Sequence, residues 1–327
     1  MYREGKYLLR DIGHRLGLYH RFYKKARGSR IIIYHGICRS DHTRFNPIFL
    51  KLDTFEQHLK FYKKHFNVVS LDDYYERKFS DDKFNICLTF DDGFANNYKY
   101  VLPLLEKYKL PATFFITGIR DAGYDILWND FLGIVSKYGP HKLIYKRKEY
   151  YKGDHDKYIS AKDGISLVEK LRKGGYSEKA DMMRLLNDVV PFKGNQADED
   201  YWLQMSTEQI RKLAASPFVT VGSHSYFHND LANIKISDVA EELILSKQFL
   251  EHVTRKKIRC LAFPYGSYTP EVVKAAKGAG YKQLLAMDFK SPYDKDDNTM
   301  RERFTVNPFI STPNQMYATI TRRYEQH

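Results

Sequence analysis

The sequence lacks several features, and each absence excludes a class of protein. No apolar run in its 327 residues approaches the roughly 20 residues of a membrane-spanning helix. The N-terminus has no apolar segment of the kind found in secretory signals, so we expect a cytoplasmic protein. The three cysteines, Cys38, Cys87 and Cys260, are far apart and form no CxxC pair. They are predicted to be buried thiols, not disulfides or zinc ligands.

Several catalytic signatures are also missing. The sequence contains no GxxxxGK[ST] phosphate-binding loop, no GxGxxG, no GxSxG nucleophile elbow and no HExxH motif. Nucleotide hydrolysis, Rossmann-type redox chemistry and serine esterase chemistry are therefore disfavoured. Because 43% of the residues are hydrophobic and 28% are charged, the chain can bury a sizeable core.

Positive charge is concentrated at the N-terminus. Residues 1–30 carry nine Lys and Arg against two acidic residues, which is +7 of the net charge of +13. Apolar residues such as Leu8, Ile12 and Leu16 recur there at helical spacing, so residues 1–30 are predicted to form a basic amphipathic arm. The arm either packs on the domain's own surface or associates peripherally with the inner face of a membrane. Nucleic acid is not expected as a partner, because the rest of the chain is only mildly basic.

From residue 31 onward, short apolar runs alternate with helical stretches. The runs are Ile31–His35, Asn67–Ser70, Ile86–Phe90, Ala112–Thr117, Phe218–Gly222, Arg259–Phe263, Gln283–Met287 and Arg303–Val306. Helical spacing covers Thr54–His65, Asn96–Tyr108, Ser237–His252 and Pro270–Ala279. This alternation predicts an α/β protein with a distorted (β/α) barrel of seven to eight parallel strands. Residues 31–118 and 206–327 are assigned to the barrel, and residues 119–205, which show no convincing strand, to a mainly helical insertion.

Two adjacent carboxylates, Asp91 and Asp92, follow the apolar run at residues 86–90 and precede Gly93. The carboxyl end of a parallel strand is where active sites of such folds are built. At a turn the two side chains can point in different directions, one toward a metal and the other toward a water. The structural alternative is an Asp-Asp-Gly turn or a helix cap.

Histidines follow two other predicted strands. His224 and His228 are four residues apart, so both imidazoles can reach one ion. Two histidines and one carboxylate leave a metal position open, as in catalytic zinc sites, although the same set suits Fe(II). His35 ends the first predicted strand, where it is either a buried structural residue or part of a site. The turn at Pro264-Tyr265-Gly266 offers backbone N–H groups that could face an oxyanion.

In their order, these pieces resemble the polysaccharide deacetylase family, the NodB-homology carbohydrate esterases. Thr89-Phe90-Asp91-Asp92-Gly93 is similar to the family's TFDDG motif. His224-Ser225-Tyr226-Phe227-His228 is similar to its H-[S/T]-x-x-H motif, and Pro264-Tyr265-Gly266 to its third motif. The resemblance covers roughly residues 31–120 and 206–306.

The resemblance implies a metal-dependent hydrolase that removes N-acetyl groups from an amino sugar. Asp92, His224 and His228 would bind a divalent metal, usually zinc. Asp91 would be the general base that takes a proton from the metal-bound water, and the Tyr265 N–H would help to hold the oxyanion. In a cytoplasmic protein the expected substrate is an amino-sugar-containing glycan or lipid-linked glycan precursor of cell-surface glycan biosynthesis.

Two features of the family are missing. Ala262 stands where the third motif often has an arginine, and no histidine occurs in a C-terminal strand-end motif. We hypothesise that Arg303 replaces the arginine and that His35 replaces the histidine as general acid. Two alternatives stay open: a hydrolase of small cyclic or linear amides, and a non-catalytic glycan-binding protein. Retention of both Asp91 and Asp92 favours an enzyme, because a metal binder needs only one of them.

Overall fold

A closed barrel of parallel strands forms the centre of the computed structural model, which describes residues 2–44, 46–193 and 196–324. Its strands are β1 (Ser29–Tyr34), β4 (Phe66–Val68), β5 (Phe84–Phe90), β6 (Ala112–Ile116), β10 (Val219–Ser223), β11 (Cys260–Ala262), β12 (Gln283–Ala286) and β13 (Met300–Thr305). Two short strands, β2 (Ile37–Cys38) and β3 (Leu50–Lys51), pair with each other beside the barrel. Each of the eight apolar runs in the sequence overlaps one of these strands, so the predicted fold class is confirmed.

Seven strands close the barrel, in the order β1-β13-β12-β11-β10-β6-β5 and back to β1. The eighth, β4, lies outside this closed set and pairs with the first half of β5, at Phe84–Ile86. The second half of β5 pairs with β6. Because all these pairings are parallel, every strand points its carboxyl end to the same rim.

Alternate side chains of the strands divide between the barrel interior and the surrounding helices. Ile31, Cys87, Phe115, Cys260 and Leu285 form one buried cluster drawn from five strands. Cys38, Cys87 and Cys260 are all free and buried, which confirms the prediction made for the thiols.

Helices connect the strands and cover the barrel. They are α1 (Tyr2–Arg15), α2 (His20–Lys25), α3 (Leu52–His65), α4 (Leu71–Tyr75), α5 (Leu102–Tyr108), α9 (Thr207–Ala215), α10 (Ile236–Thr254), α11 (Pro270–Gly278) and α12 (Thr312–Thr321). A π-helical segment, Asn97–Val101, precedes α5, so the predicted helix at 96–108 changes its winding part-way. Among the described residues, no helix combines the length and the apolar character that crossing a membrane requires.

The N-terminal arm packs on the barrel with a different face from the one its apolar spacing predicts. Arg10 donates to Asn314 at 2.6 Å, and Asp11 accepts from Ser311, so polar side chains attach α1 to α12. Tyr23 of α2 is buried, as the spacing predicts. Leu8, Ile12 and Leu16 are instead exposed. The apolar residues of the arm therefore divide between a buried part in α2 and an exposed part in α1 and the turn after it, because the chain turns between the two helices.

The insertion contains a small sheet in addition to helices. Its helices are α6 (Trp128–Tyr138), α7 (Leu167–Arg172) and α8 (Tyr176–Leu185), and its antiparallel strands are β7 (Lys142–Tyr145), β8 (Lys148–Lys152) and β9 (Tyr158–Ser160). The expectation of no strand between residues 119 and 205 is thus wrong. The hairpin turn uses Lys146 and Arg147, both with positive φ, where Asn-Gly would be the recognisable signal.

The insertion has an apolar cluster of its own, which includes Trp128, Phe131 and Trp202. It returns to the barrel along the loop that follows β5. Ala95 N–H donates to Leu203 O at 2.8 Å and Met205 N–H to Gly93 O at 2.9 Å. The insertion therefore ends beside the residues that follow Asp91 and Asp92.

Candidate active site

The site residues predicted from sequence meet at the carboxyl rim of the barrel. Asp91 and Asp92 follow β5, His224 follows β10, and Arg303 lies within β13. Asp91, Asp92, His224, His228 and Arg303 are each at most 5% exposed. Long stretches of sequence separate them, and the closed strand order brings them together.

Asp92, His224 and His228 form a compact group of possible metal ligands. The Oδ1 atom of Asp92 lies 3.4 Å from Nε2 of His224 and 3.2 Å from Nε2 of His228. One ligand atom from each residue falls within 4.8 Å of the others. Within the described residues, this is the only group of three or more His, Cys, Asp or Glu side chains whose ligand atoms lie so close together.

Contacts behind the ligands orient the imidazole of His224. Its Nδ1 lies 2.8 Å from the carbonyl oxygen of Ala262, so Nδ1 carries the proton and Nε2 presents a lone pair to the group. Burial opposes ionisation of Asp92, but His224 and His228 outweigh it and hold the pKa of Asp92 well below its ordinary value. A carboxylate that is ionised beside two imidazole nitrogens is a donor set that fits a divalent cation, including zinc.

The backbone at this rim adopts left-handed conformations at non-glycine residues. Asp92 has φ 74°, His228 has φ 56° and Tyr265 has φ 58°. Such conformations are costly for residues with a Cβ, and they cluster at binding sites where the surroundings enforce them. The turn at Gly93, with φ 79°, would bring a Cβ to within 3.0 Å of Ile116, so glycine is needed there.

Arg303 forms a bidentate ion pair with Asp91. Its Nη1 donates to Oδ1 at 2.7 Å and its Nη2 donates to Oδ2 at 2.8 Å. The Oδ2 atom of Asp91 lies 4.0 Å from Nε2 of His224, so the carboxylate faces the ligand group. Burial would raise the pKa of Asp91, but the guanidinium of Arg303 and the nearby His224 outweigh it and lower that pKa. Asp91 is therefore an ionised carboxylate of fixed orientation.

His35 lies at the same rim, just beyond the end of β1. Burial lowers the pKa of His35, while the carboxylates of Asp92 and Asp91 act in the opposite direction. The preceding Tyr34 is anchored in the core by hydrogen bonds to His58 and Tyr62. His35 thus follows a strand end that is fixed in the core.

The turn at Tyr265 leaves one backbone donor available. Gly266 N–H donates to Phe263 O and Ser267 N–H donates to Pro264 O, whereas Tyr265 N–H bonds to no other described residue. The Tyr265 ring packs between two other groups. Its centroid is 4.7 Å from that of His228, and the guanidinium of Arg172 lies 4.4 Å above it.

The insertion brings further residues to the site through contacts that the sequence did not predict. Trp128 donates from its indole to the carbonyl oxygen of His228 at 3.2 Å. Arg172, which lies over Tyr265, pairs with Asp230 at 2.6 Å. Lys179 is fully buried and bonds to Asn229, the neighbour of His228. Buried polar side chains in a segment without a motif gave no sequence signal for these contacts.

A family model described as polysaccharide deacetylase matches residues 79–143 and 192–284. The matched residues include Asp91, Asp92, His224, His228 and Tyr265 and leave out most of the insertion. The chain belongs to the polysaccharide deacetylase family. His35 and Arg303 lie outside the match, so their roles rest on geometry. No curated protein matches the sequence.

Solved structures share the fold with this family member at low identity. A deacetylase from Streptococcus pyogenes, PplD in complex with acetate, is 16% identical with a TM-score of 0.56, over 89% of this chain and 97% of that one. IcaB from Ammonifex degensii is 18% identical with a TM-score of 0.54, over 90% and 97% of the two chains. A polysaccharide deacetylase from Bacillus cereus is 18% identical with a TM-score of 0.54, over 89% of this chain and 68% of that one.

Proposed function

We propose that this protein is a metal-dependent N-deacetylase that hydrolyses acetyl groups from an amino sugar in a glycan or a lipid-linked glycan precursor. The observation that carries the proposal is the position of Asp91, ionised and held by Arg303 beside the group of Asp92, His224 and His228. The family membership supports deacetylation as the reaction.

Asp92, His224 and His228 are proposed to hold the metal, with zinc as the expected ion. When bound, a divalent metal polarises the acetyl carbonyl and makes a water more acidic. The fixed Nε2 of His224 and the ionised Asp92 provide two of its ligand atoms without rearrangement.

Asp91 is proposed as the general base. Its Oδ2 faces the ligand group, so it can accept a proton from the attacking water there. Arg303 keeps the carboxylate from rotating away, which is the role expected of the third-motif arginine that Ala262 replaces in this chain. The unpaired N–H of Tyr265 is proposed to donate to the oxyanion that forms from the acetyl carbonyl. His35 is proposed to protonate the leaving amine.

We expect Arg303→Lys and His35→Ala each to lower kcat by roughly 100-fold while metal content stays unchanged. Lysine cannot form the bidentate pair that orients Asp91. It is preferred to alanine because an unpaired buried Asp91 would cost about 3–5 kcal/mol of stability. The matched control is Arg301→Lys, since Arg301 lies over Tyr75 away from the site. Turnover within a few-fold of wild type for either variant would remove that residue from the mechanism.

The experiment that tests the function is acetate release from N-acetylhexosamine oligosaccharides and lipid-linked N-acetylated sugars by the zinc-loaded protein. Release that stops in the presence of a chelator supports the proposal. Hydrolysis of monomeric amides alone would favour the small-amide alternative. Binding of the same sugars without release would favour a glycan-binding protein.

We further propose that the protein attaches peripherally to the inner face of the cell membrane through α1 and the turn after it. Their exposed aliphatic side chains are Leu8 (61% exposed), Leu9 (70%), Ile12 (43%), Leu16 (69%) and Leu18 (72%). The same segment is basic, since residues 1–30 carry nine Lys and Arg against two acidic residues. Exposed aliphatic residues on a basic segment suit an anionic bilayer surface, which the inner leaflet presents.

We expect the double change Leu9→Glu, Leu16→Glu to weaken binding to phosphatidylglycerol-containing vesicles by roughly 100-fold, because two leucine side chains would no longer insert into the bilayer. Vesicle flotation measures the bound fraction, and pure phosphatidylcholine vesicles test the part played by charge. The control is Ile144→Glu, which changes an exposed side chain of the insertion (63% exposed). Equal flotation of the double variant and the wild type would refute the attachment.

A further inference from the structure

Asp130 lies in the first turn of α6, where the insertion meets the ligand group. Two residues earlier, Trp128 donates to the carbonyl oxygen of His228. This contact fixes the start of α6 against a proposed metal ligand. Because α6 begins against His228, the first turn that carries Asp130 lies at the rim of the site.

One oxygen of Asp130 is anchored and the other is unused. Oδ1 accepts hydrogen bonds from Asn46 at 3.2 Å and from Asn129 at 3.3 Å. Oδ2 is buried and has no hydrogen-bond partner among the described residues. A buried polar atom of this kind calls for a partner, and ligands often supply one.

A structural role does not account for this carboxyl group. No Lys, Arg or His of the described residues forms an ion pair with it, in contrast to Asp91, which is paired with Arg303. The hydroxyl group of Tyr265 is likewise buried without a partner. The Tyr265 ring lies 4.7 Å from that of His228, and Asp130 lies on the helix whose first residue bonds to His228. Two unused polar atoms therefore belong to elements that contact a proposed metal ligand.

We infer that Asp130 binds a hydroxyl group of the amino sugar that carries the acetyl group. A hydroxyl group both donates and accepts, so it can pair with Oδ2 whether Asp130 is ionised or protonated. This inference rests on the proposed function and adds that the insertion, through α6, selects sugars over simple amides.

The test compares Asp130→Ala and Asp130→Asn with wild type on two substrates. One is an N-acetylglucosamine oligosaccharide, and the other is 4-nitrophenyl acetate, which has no hydroxyl group. For Asp130→Ala we expect kcat/KM on the oligosaccharide to fall roughly 10- to 100-fold, mainly through KM, with 4-nitrophenyl acetate hydrolysis changed by less than about 3-fold. Asp130→Asn keeps an oxygen and should lose less.

The matched control is Asp125→Ala, which removes a carboxylate of the insertion that pairs with the exposed Lys193. An equal loss on both substrates, or no loss on either, would overturn the assignment of Asp130. Binding of the oligosaccharide, measured by calorimetry, separates this inference from the proposed function. If the wild type binds the oligosaccharide without releasing acetate, the proposed deacetylase activity is refuted. A roughly 10-fold or larger rise in Kd for Asp130→Ala would then still support the sugar-binding role of Asp130. If it neither binds nor hydrolyses the sugar, both proposals fail.

Discussion

Asp91→Asn is expected to lower acetate release by roughly 10³-fold while the protein still binds one metal. The substitution keeps the shape of the side chain but removes the oxygen that can accept a proton. Asp91 is separate from the three proposed ligands, and its nearer contact is the bidentate pair with Arg303. The metal site should therefore remain intact while the proton acceptor is lost.

The measurement combines kcat with elemental analysis of the same preparation. Asp92→Asn provides the contrast, because it should lose both metal and activity. Asp82→Asn, which changes an exposed carboxylate of the loop before β5, should behave as wild type. If Asp91→Asn retains more than about a tenth of the wild-type rate, another group must take the proton.

The double change His224→Ala, His228→Ala is expected to abolish metal binding. Wild type should contain about one divalent ion per chain, and Asp92 alone cannot hold it, since closed or catalytic sites use at least three protein ligands. Acetate release should fall to background together with the metal. Circular dichroism should show that the variant remains folded, because the barrel strands do not depend on the two imidazoles for their pairing.

His252→Ala is the matched control for this experiment, because His252 is an exposed histidine on α10. It should leave metal content and activity unchanged. Absence of metal in the wild type, even after reconstitution with zinc, would contradict the proposed centre and bring the glycan-binding alternative forward.

The barrel could be predicted because its strands are buried on both faces and so read as short, nearly uniform apolar runs. The ligand candidates Asp92, His224 and His228 were also predictable, since Asp92 and His224 come within two residues of such a run and His228 lies four residues after His224. Their motifs are local in the sequence. Because parallel strands end at one rim, the motifs were also expected to lie close together.

The secondary structure of the insertion was predicted less well. Its strands are short and rich in Lys and Tyr, as in Lys142–Tyr145, and the hairpin turns through Lys146 and Arg147. Neither feature carries the usual strand or turn signal. Asp130 was missed for a related reason, because its importance depends on where α6 comes to lie against His228.

The sequence by itself determined the class of fold, the rim that holds the site and the chemical types of the ligands, because these follow from local hydrophobic pattern and motif order. Only the tertiary structure decided that Arg303 pairs with Asp91 across 212 positions of the chain. It also decided which face of α1 stays exposed, with Leu9 and Ile12 outward and Arg10 inward. Such pairings depend on which distant surfaces meet when the barrel closes, and no local pattern in the chain specifies them.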